Sequence, residues 1–172
     1  NKTGISVQTI CADYFMEAPL HSSDDKVSEE SFKILEQLLE IAKTLQITDI
    51  VIPCVDQSSL ETKEAVNRFV EQITKIIPKI EKQNINLSLE TDLAPQPFIE
   101  LLGKLNSKNI TVNYDIGNSA ALGFDSDEEL AAYGDRITDI HIKDRLLGGG
   151  PVTLGEGNAN FKKFFTKLKE FN

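Results

Sequence analysis

Residues 86–115 read NLSLETDLAPQPFIELLGKLNSKNITVNYD, and the fold is decided in this stretch. Asn86–Thr91 alternates apolar and polar side chains with the period of a strand. Pro97–Leu105 has the spacing of a short amphipathic helix, and Ile110–Asp115 is a second strand. Two strands joined through a helix rather than a tight turn pair in parallel.

The same alternation continues outward. Upstream, Asp49–Val55 is a strand centred on Ile50-Val51-Ile52. A helix over Glu61–Glu81 follows it, with Val66, Phe69, Val70, Ile73, Ile76, Ile77 and Ile80 on one stripe. Pro78 is expected to kink or shorten that helix. Farther upstream come a strand at Ile5–Cys11, a polar loop at Met16–Lys26 and a helix over Ser28–Leu45. Downstream, Asp127–Tyr133 is a brief helix, Thr138–Lys143 a fifth strand, and Asn160–Phe171 a last helix. Phe161, Phe164, Phe165, Leu168 and Phe171 are expected to be buried there. The predicted class is α/β, either an open doubly wound sheet or a (β/α)₈ barrel. No G-x-G-x-x-G follows the first strand, which argues against the dinucleotide-binding open sheet. No linker or low-complexity tract divides the chain, so residues 1–172 are expected to form one domain.

The 172 residues carry a net charge of −9 and a pI near 4.7. Polyanions are held by clustered cations, so no nucleic-acid partner is expected. No apolar run reaches the roughly 20 residues of a membrane span. Asn1-Lys2-Thr3-Gly4 leads into the strand pattern Ile5-Ser6-Val7 rather than into a secretory leader. Two cysteines, Cys11 and Cys54, are too few for a disulfide framework and are expected to be free and buried. A cytoplasmic location follows as the expectation.

Glu90, Asp115 and His141 stand near the C-terminal ends of three successive strands, where barrel enzymes build their sites. Alternation puts Ser88 and Glu90 on one face and Leu87 and Leu89 on the other. It likewise separates Asn113 and Asp115 from Val112 and Tyr114, and Asp139, His141 and Lys143 from Ile140 and Ile142. Two carboxylates and an imidazole form an N/O ligand shell suited to Mn²⁺, Mg²⁺, Co²⁺ or Zn²⁺. Each residue alone has a plainer reading: Glu90 as a surface carboxylate, Asp115 as a turn starter, His141 as a hydrogen-bonded core histidine. Their equivalent places on neighbouring strands favour the metal reading.

Asp115-Ile116-Gly117-Asn118, His141-Ile142-Lys143-Asp144, and Gly155-Glu156-Gly157 followed by Phe161 resemble the xylose-isomerase-like sugar isomerase/epimerase superfamily. The similarity is greatest to its L-ribulose/L-xylulose 5-phosphate 3-epimerase and hexulose-phosphate isomerase group. The resemblance runs over nearly the whole chain and implies a partial (β/α)₈ TIM barrel, from about strand 3 to helix 7, with strands 1, 2 and 8 absent. It implies that Glu90, Asp115 and His141 hold a divalent metal while Glu90 moves a proton beside a carbonyl through an enediolate. The family's fourth ligand, a strand-eight Glu, would lie outside the chain, which is therefore expected to be nearly inactive alone. The partner implied is a small sugar or sugar phosphate.

Asn118, Lys143 and Arg145 are candidate substrate-binding residues. Asn118 has an equal claim to a turn-stabilising role. Arg145 and Gly148-Gly149-Gly150 are a candidate phosphate region, against a plain solvated loop. Glu156 is expected to anchor the loop before the last helix, and His21 is expected to be exposed. Alternatives are a dehydratase of the same superfamily and a non-catalytic barrel fragment with a binding role, whose open sheet edges would suit a homo-oligomer. An apurinic endonuclease ranks lowest, because two histidines are too few for its zinc ions.

Overall fold

The computed structural model describes residues 3–171; Asn1, Lys2 and Asn172 lie outside the described residues. Five strands, β1 (Thr9–Cys11), β2 (Asp49–Cys54), β3 (Asn86–Thr91), β4 (Ile110–Asp115) and β5 (Ile137–His141), form one sheet in sequence order. Every neighbouring pair is parallel. The result is a five-stranded half-barrel, part of a (β/α)₈ barrel.

The connections are helical: α1 (Tyr14–Glu17), α2 (Asp25–Leu45), α3 (Lys63–Gln83), α4 (Pro95–Leu105), α5 (Ile116–Leu122), α6 (Ser126–Tyr133) and α7 (Phe161–Leu168). A small antiparallel hairpin, β6 (Asp144–Arg145) and β7 (Pro151–Val152), follows β5. Parallel strands are covered on the helical face, so that face is continuously apolar. Leu87, Leu89, Ile110 and Val112 meet Phe69, Ile73, Ile80 and Leu101 in a core from which nearly all water is excluded. The other face carries hydroxyls: Thr138 donates to Thr111 at 2.8 Å and lies 3.3 Å from Ser88.

Local chemistry moved several boundaries. α2 begins at Asp25 because Asp24, not Ser28, caps it by accepting from Lys26 N–H. Ser28 and Ser31 instead donate to the Leu20 and Ala18 carbonyls, tying down the preceding loop. α3 is not shortened at Pro78 but continues to Gln83. The missing N–H and ring clash cost about 3 kcal/mol, which burial of Ile73, Ile76 and Ile80 at roughly 1.5–3 kcal/mol each outweighs. The first strand is shorter than Ile5–Cys11, and Ile5 and Val7 are exposed.

Other expectations fail on burial. Of the five apolar residues of the last helix only Phe164 is buried, stacked on Tyr114 with ring centroids 4.5 Å apart. Phe165 and Phe171 are each 37% exposed, Phe171 with its ring against Gly134, and Ile142 is exposed because β5 ends at His141. Cys11 is exposed on β1, which among the described residues pairs with β2 alone; Cys54 is buried, and both are free. His21 is buried, not exposed: its loop folds back on α3, where the ring meets Phe69 edge-on and the carbonyl accepts from Arg68 Nε at 2.8 Å. Burial lowers the His21 pKa to about 4. Among the described residues, no helix is long and apolar enough to cross a membrane.

Ile73 is fully buried in α3. Ile73→Val should therefore cost about 0.5–1.5 kcal/mol in urea unfolding with an unchanged m value. A change below 0.3 kcal/mol (roughly the resolution of such a fit) would place this side chain outside the close-packed core.

Candidate metal centre

Glu90, Asp115 and His141 come together because their strands share a pleat. Asp115 and His141 are direct partners in the β4–β5 ladder, and a register shift between Val112 and Asn113 precedes them. One donor atom from each of Glu90, Asp115 and His141 lies within 4.8 Å of the other two. His141 Nδ1 is 3.1 Å from Glu90 Oε2 and 3.7 Å from Asp115 Oδ2. Glu90 is 6% and Asp115 5% exposed, so neither is a surface carboxylate.

Both carboxylates are held from behind. Asp115 ends β4 and caps α5, its Oδ1 accepting from Asn118 N–H at 2.8 Å. It is thus a turn starter and a member of the cluster at once. Asn118 Nδ2 donates to Glu90 Oε1 at 2.6 Å, and Asn113 Nδ2 donates to Glu90 Oε2 at 2.9 Å. Asn113 Nδ2 also lies 3.1 Å from His141 Nδ1. Asp115 Oδ2 is buried and meets no well-aligned donor; Lys143 Nζ stands 2.8 Å away as an ion-pair partner. A buried carboxylate oxygen left without an aligned donor, beside a second carboxylate and an imidazole, suits a divalent cation.

Electrostatics are set by the same contacts. Asp115 and Glu90 push the His141 pKa up to about 10 against the opposing effect of partial burial. Burial acts to raise the Asp115 pKa, but His141, Lys143 and the Asn118 N–H together hold it below its ordinary value. The centre without metal therefore holds an imidazolium at neutral pH.

Lys143 and Arg145 both reach this region. Arg145 Nη1 donates to Asn118 Oδ1 at 2.8 Å and its Nε to the Gly149 carbonyl at 3.1 Å. Asn118 thus links Arg145 to Glu90. The Gly148–Gly150 segment is the turn of the β6–β7 hairpin. Gly148 N–H is bonded to Ala121 O and Gly149 N–H to Leu146 O, so two amides of the expected phosphate loop are already engaged. Glu156 is exposed and anchors nothing through its side chain. The anchor is Asp144, 1% exposed, which accepts from the N–H groups of Gly155, Gly157 and Ala159. Gly157 packs so closely on Asp144 that a Cβ would collide with its carboxylate. Nothing in the local sequence marks Asp144 as an anchor, although it stands in the His141–Asp144 motif. Strand alternation puts Asn113 on the inner face, but its contacts to Glu90 and His141 follow only from the strand register.

A family model described as a xylose isomerase-like TIM barrel matches residues 1–172. The SgbU protein of Haemophilus influenzae is 27% identical over 190 residues, covering 99% of this chain and 64% of the relative. L-ribulose-5-phosphate 3-epimerase UlaE of Escherichia coli (strain ATCC 8739) is 26% identical over 178 residues, covering 98% and 62%. The chain thus spans less than two thirds of these curated relatives. Among solved structures, a D-tagatose 3-epimerase-like protein superposes with a TM-score of 0.79 at 20% identity, over 98% of this chain and 68% of that one. The IOLI protein with a bound zinc atom gives 0.77 at 19% identity, over 98% and 63%. A xylose isomerase-like barrel protein from Mycobacterium smegmatis in complex with magnesium gives 0.76 at 15% identity, over 98% and 64%. These solved structures share the fold.

Coordination needs the neutral imidazole, so an ion entering this centre must displace the His141 proton. Calorimetric Zn²⁺ titration near neutral pH, repeated in buffers of different ionisation enthalpy, should show about one proton released per ion; no release would contradict the assignment. Without metal the signs run oppositely for the two groups. The His141 contribution to stability is full below 6.5 and lost as pH rises through about 10. The Asp115 contribution is present above the ordinary carboxylate range and lost on acidification below it.

Proposed function

Because the chain belongs to the xylose isomerase-like TIM barrel family, we propose that it is the metal-holding part of a sugar or sugar-phosphate isomerase/epimerase. In this reading residues 1–172 act as one incomplete barrel domain. The observation that carries it is the convergence of Glu90, Asp115 and His141 donor atoms within 4.8 Å. The relationship to UlaE, named for L-ribulose-5-phosphate 3-epimerisation, supports a ketose phosphate as substrate.

Glu90, Asp115 and His141 would hold the ion. A bound divalent cation polarises carbonyl and hydroxyl oxygens, which lowers the cost of negative charge on them. Glu90 would take the proton from the carbon beside the carbonyl on one face of the substrate, and a second acid on the opposite face would deliver one there. Asn113 and Asn118, bonded one to each of its oxygens, keep that carboxylate from rotating. Lys143 balances the charge of Asp115. Asn118 and Arg145 face substrate hydroxyls or phosphate, and Arg145, held at two points, presents a fixed guanidinium rather than a mobile one.

Mn²⁺ titration followed by calorimetry tests the metal centre. One ion should bind per chain, and His141→Ala should weaken it at least tenfold (the low end of the effect of removing a supporting group alone). No uptake sinks the reading. Exchange in D₂O tests the chemistry: abstraction by Glu90 needs no acid on the opposite face, so with Mn²⁺ deuterium should enter a ketose phosphate beside its carbonyl slowly and without formation of the epimer, and Glu90→Gln should abolish the exchange. A chain that binds Mn²⁺ without any exchange would dismiss the proton transfer while leaving the metal centre.

A further inference from the structure

Glu129 is 3% exposed on α6, outside the cluster of ligands. Carboxylates are seldom buried this deeply without a specific partner. The partners here are three hydroxyls. Tyr114 donates to Oε2 at 2.6 Å, Ser119 donates to the same oxygen, and Tyr133 donates to Oε1 at 2.9 Å. Tyr114 and Ser119 also lie 3.0 Å apart, hydroxyl to hydroxyl. Burial raises the Glu129 pKa, and the three donors oppose that rise.

Two of these hydroxyls sit next in sequence to the candidate metal centre. Tyr114 precedes Asp115, and Ser119 follows Asn118. Asp115 Oδ1 and Asn118 N–H close the turn between them, and the Asn118 amide holds Glu90. On its other side the turn has no slack. Gly117 lies against Lys143, where a Cβ would stand 2.9 Å from the Lys143 carbonyl oxygen. The segment 114–119 is therefore clamped between Lys143 and the Glu129 carboxylate.

We propose that Glu129 is a positioning residue of the metal centre, its carboxylate fixing Tyr114 and Ser119 so that Asp115 and Asn118 are held in register with Glu90. The proposal rests on the metal reading for its affinity arm and on the geometry alone for its second arm. Groups that orient ligands from behind are worth about 10- to 100-fold in metal affinity when removed.

The test compares wild type, Glu129→Ala, Glu129→Gln and the remote core control Ile73→Val. Three quantities are measured: Tm, Mn²⁺ affinity, and the NMR signals of the Asn118 side-chain amide in the metal-free chain. Glu129→Ala should weaken Mn²⁺ about 10- to 100-fold and shift the Asn118 signals, and Glu129→Gln should recover most of both. Ile73→Val should lower Tm with neither effect. If Glu129→Ala does not fold, Ser119→Ala carries the same comparison. An alanine variant that loses Tm but keeps wild-type affinity and Asn118 signals overturns the proposal. Should wild type bind no Mn²⁺, the metal reading fails by itself. The Asn118 signals then decide: shifted in Glu129→Ala alone they support positioning, and unshifted they refute it.

Discussion

Two carboxylates placed side by side out of water repel each other and lose hydration, and the surrounding structure is organised around that cost. Glu90 and Asp115 are almost wholly buried at the ends of adjacent strands. Several hydrogen-bond donors and two positive groups are turned toward them. Asn113 and Asn118 donate to Glu90, the α5 amide of Asn118 donates to Asp115, and His141 and Lys143 bring positive charge. For Asp115 these contacts outweigh the opposing effect of burial and hold its carboxyl below the ordinary range.

The hydrophobic layer makes this arrangement affordable. The helix-facing side chains of β2, β3 and β4 are fully buried, which pins the strands in depth and register. Because side chains alternate along a strand, a register fixed by Leu87, Leu89 and Val112 also fixes where Glu90 and Asp115 point. A slip by one residue would turn both carboxylates into the apolar layer. Stability of the core and geometry of the site are thus the same constraint seen from two faces of the sheet.

That coupling explains what was legible in the sequence. Strands β3 and β4 were read to the residue, because alternation and helix spacing are both local signals. The three-residue cluster was legible for the same reason, each member standing at a strand end. α5 was not, since Ile116–Leu122 is too short for periodicity and Asp115-Ile-Gly-Asn reads equally well as a turn. The burial of His21 and the exposure of Cys11 and Phe165 depend on which neighbours arrive in three dimensions. Glu129 and Asp144 escaped notice because an acidic residue on a polar helix or in a loop looks like solvated surface. Only the convergence of hydroxyls or backbone amides from distant positions marks them as interior.

The charge balance of the centre carries a final consequence. In the metal-free chain two formal negative charges on Glu90 and Asp115 face two positive ones on His141 and Lys143. An imidazolium and an ammonium therefore supply the charge that a divalent cation would bring. Were a doubly charged ion to replace the His141 proton, Lys143 would stay in place and the formal sum would shift from zero to plus one. A site with that surplus favours an oxygen that becomes negative over one that stays neutral, which is the discrimination a proton transfer beside a carbonyl requires. On the proposed reading Lys143 would then have a second task beyond pairing with Asp115: it would keep a loaded centre from being neutral, so that charge developing on a substrate would be drawn inward.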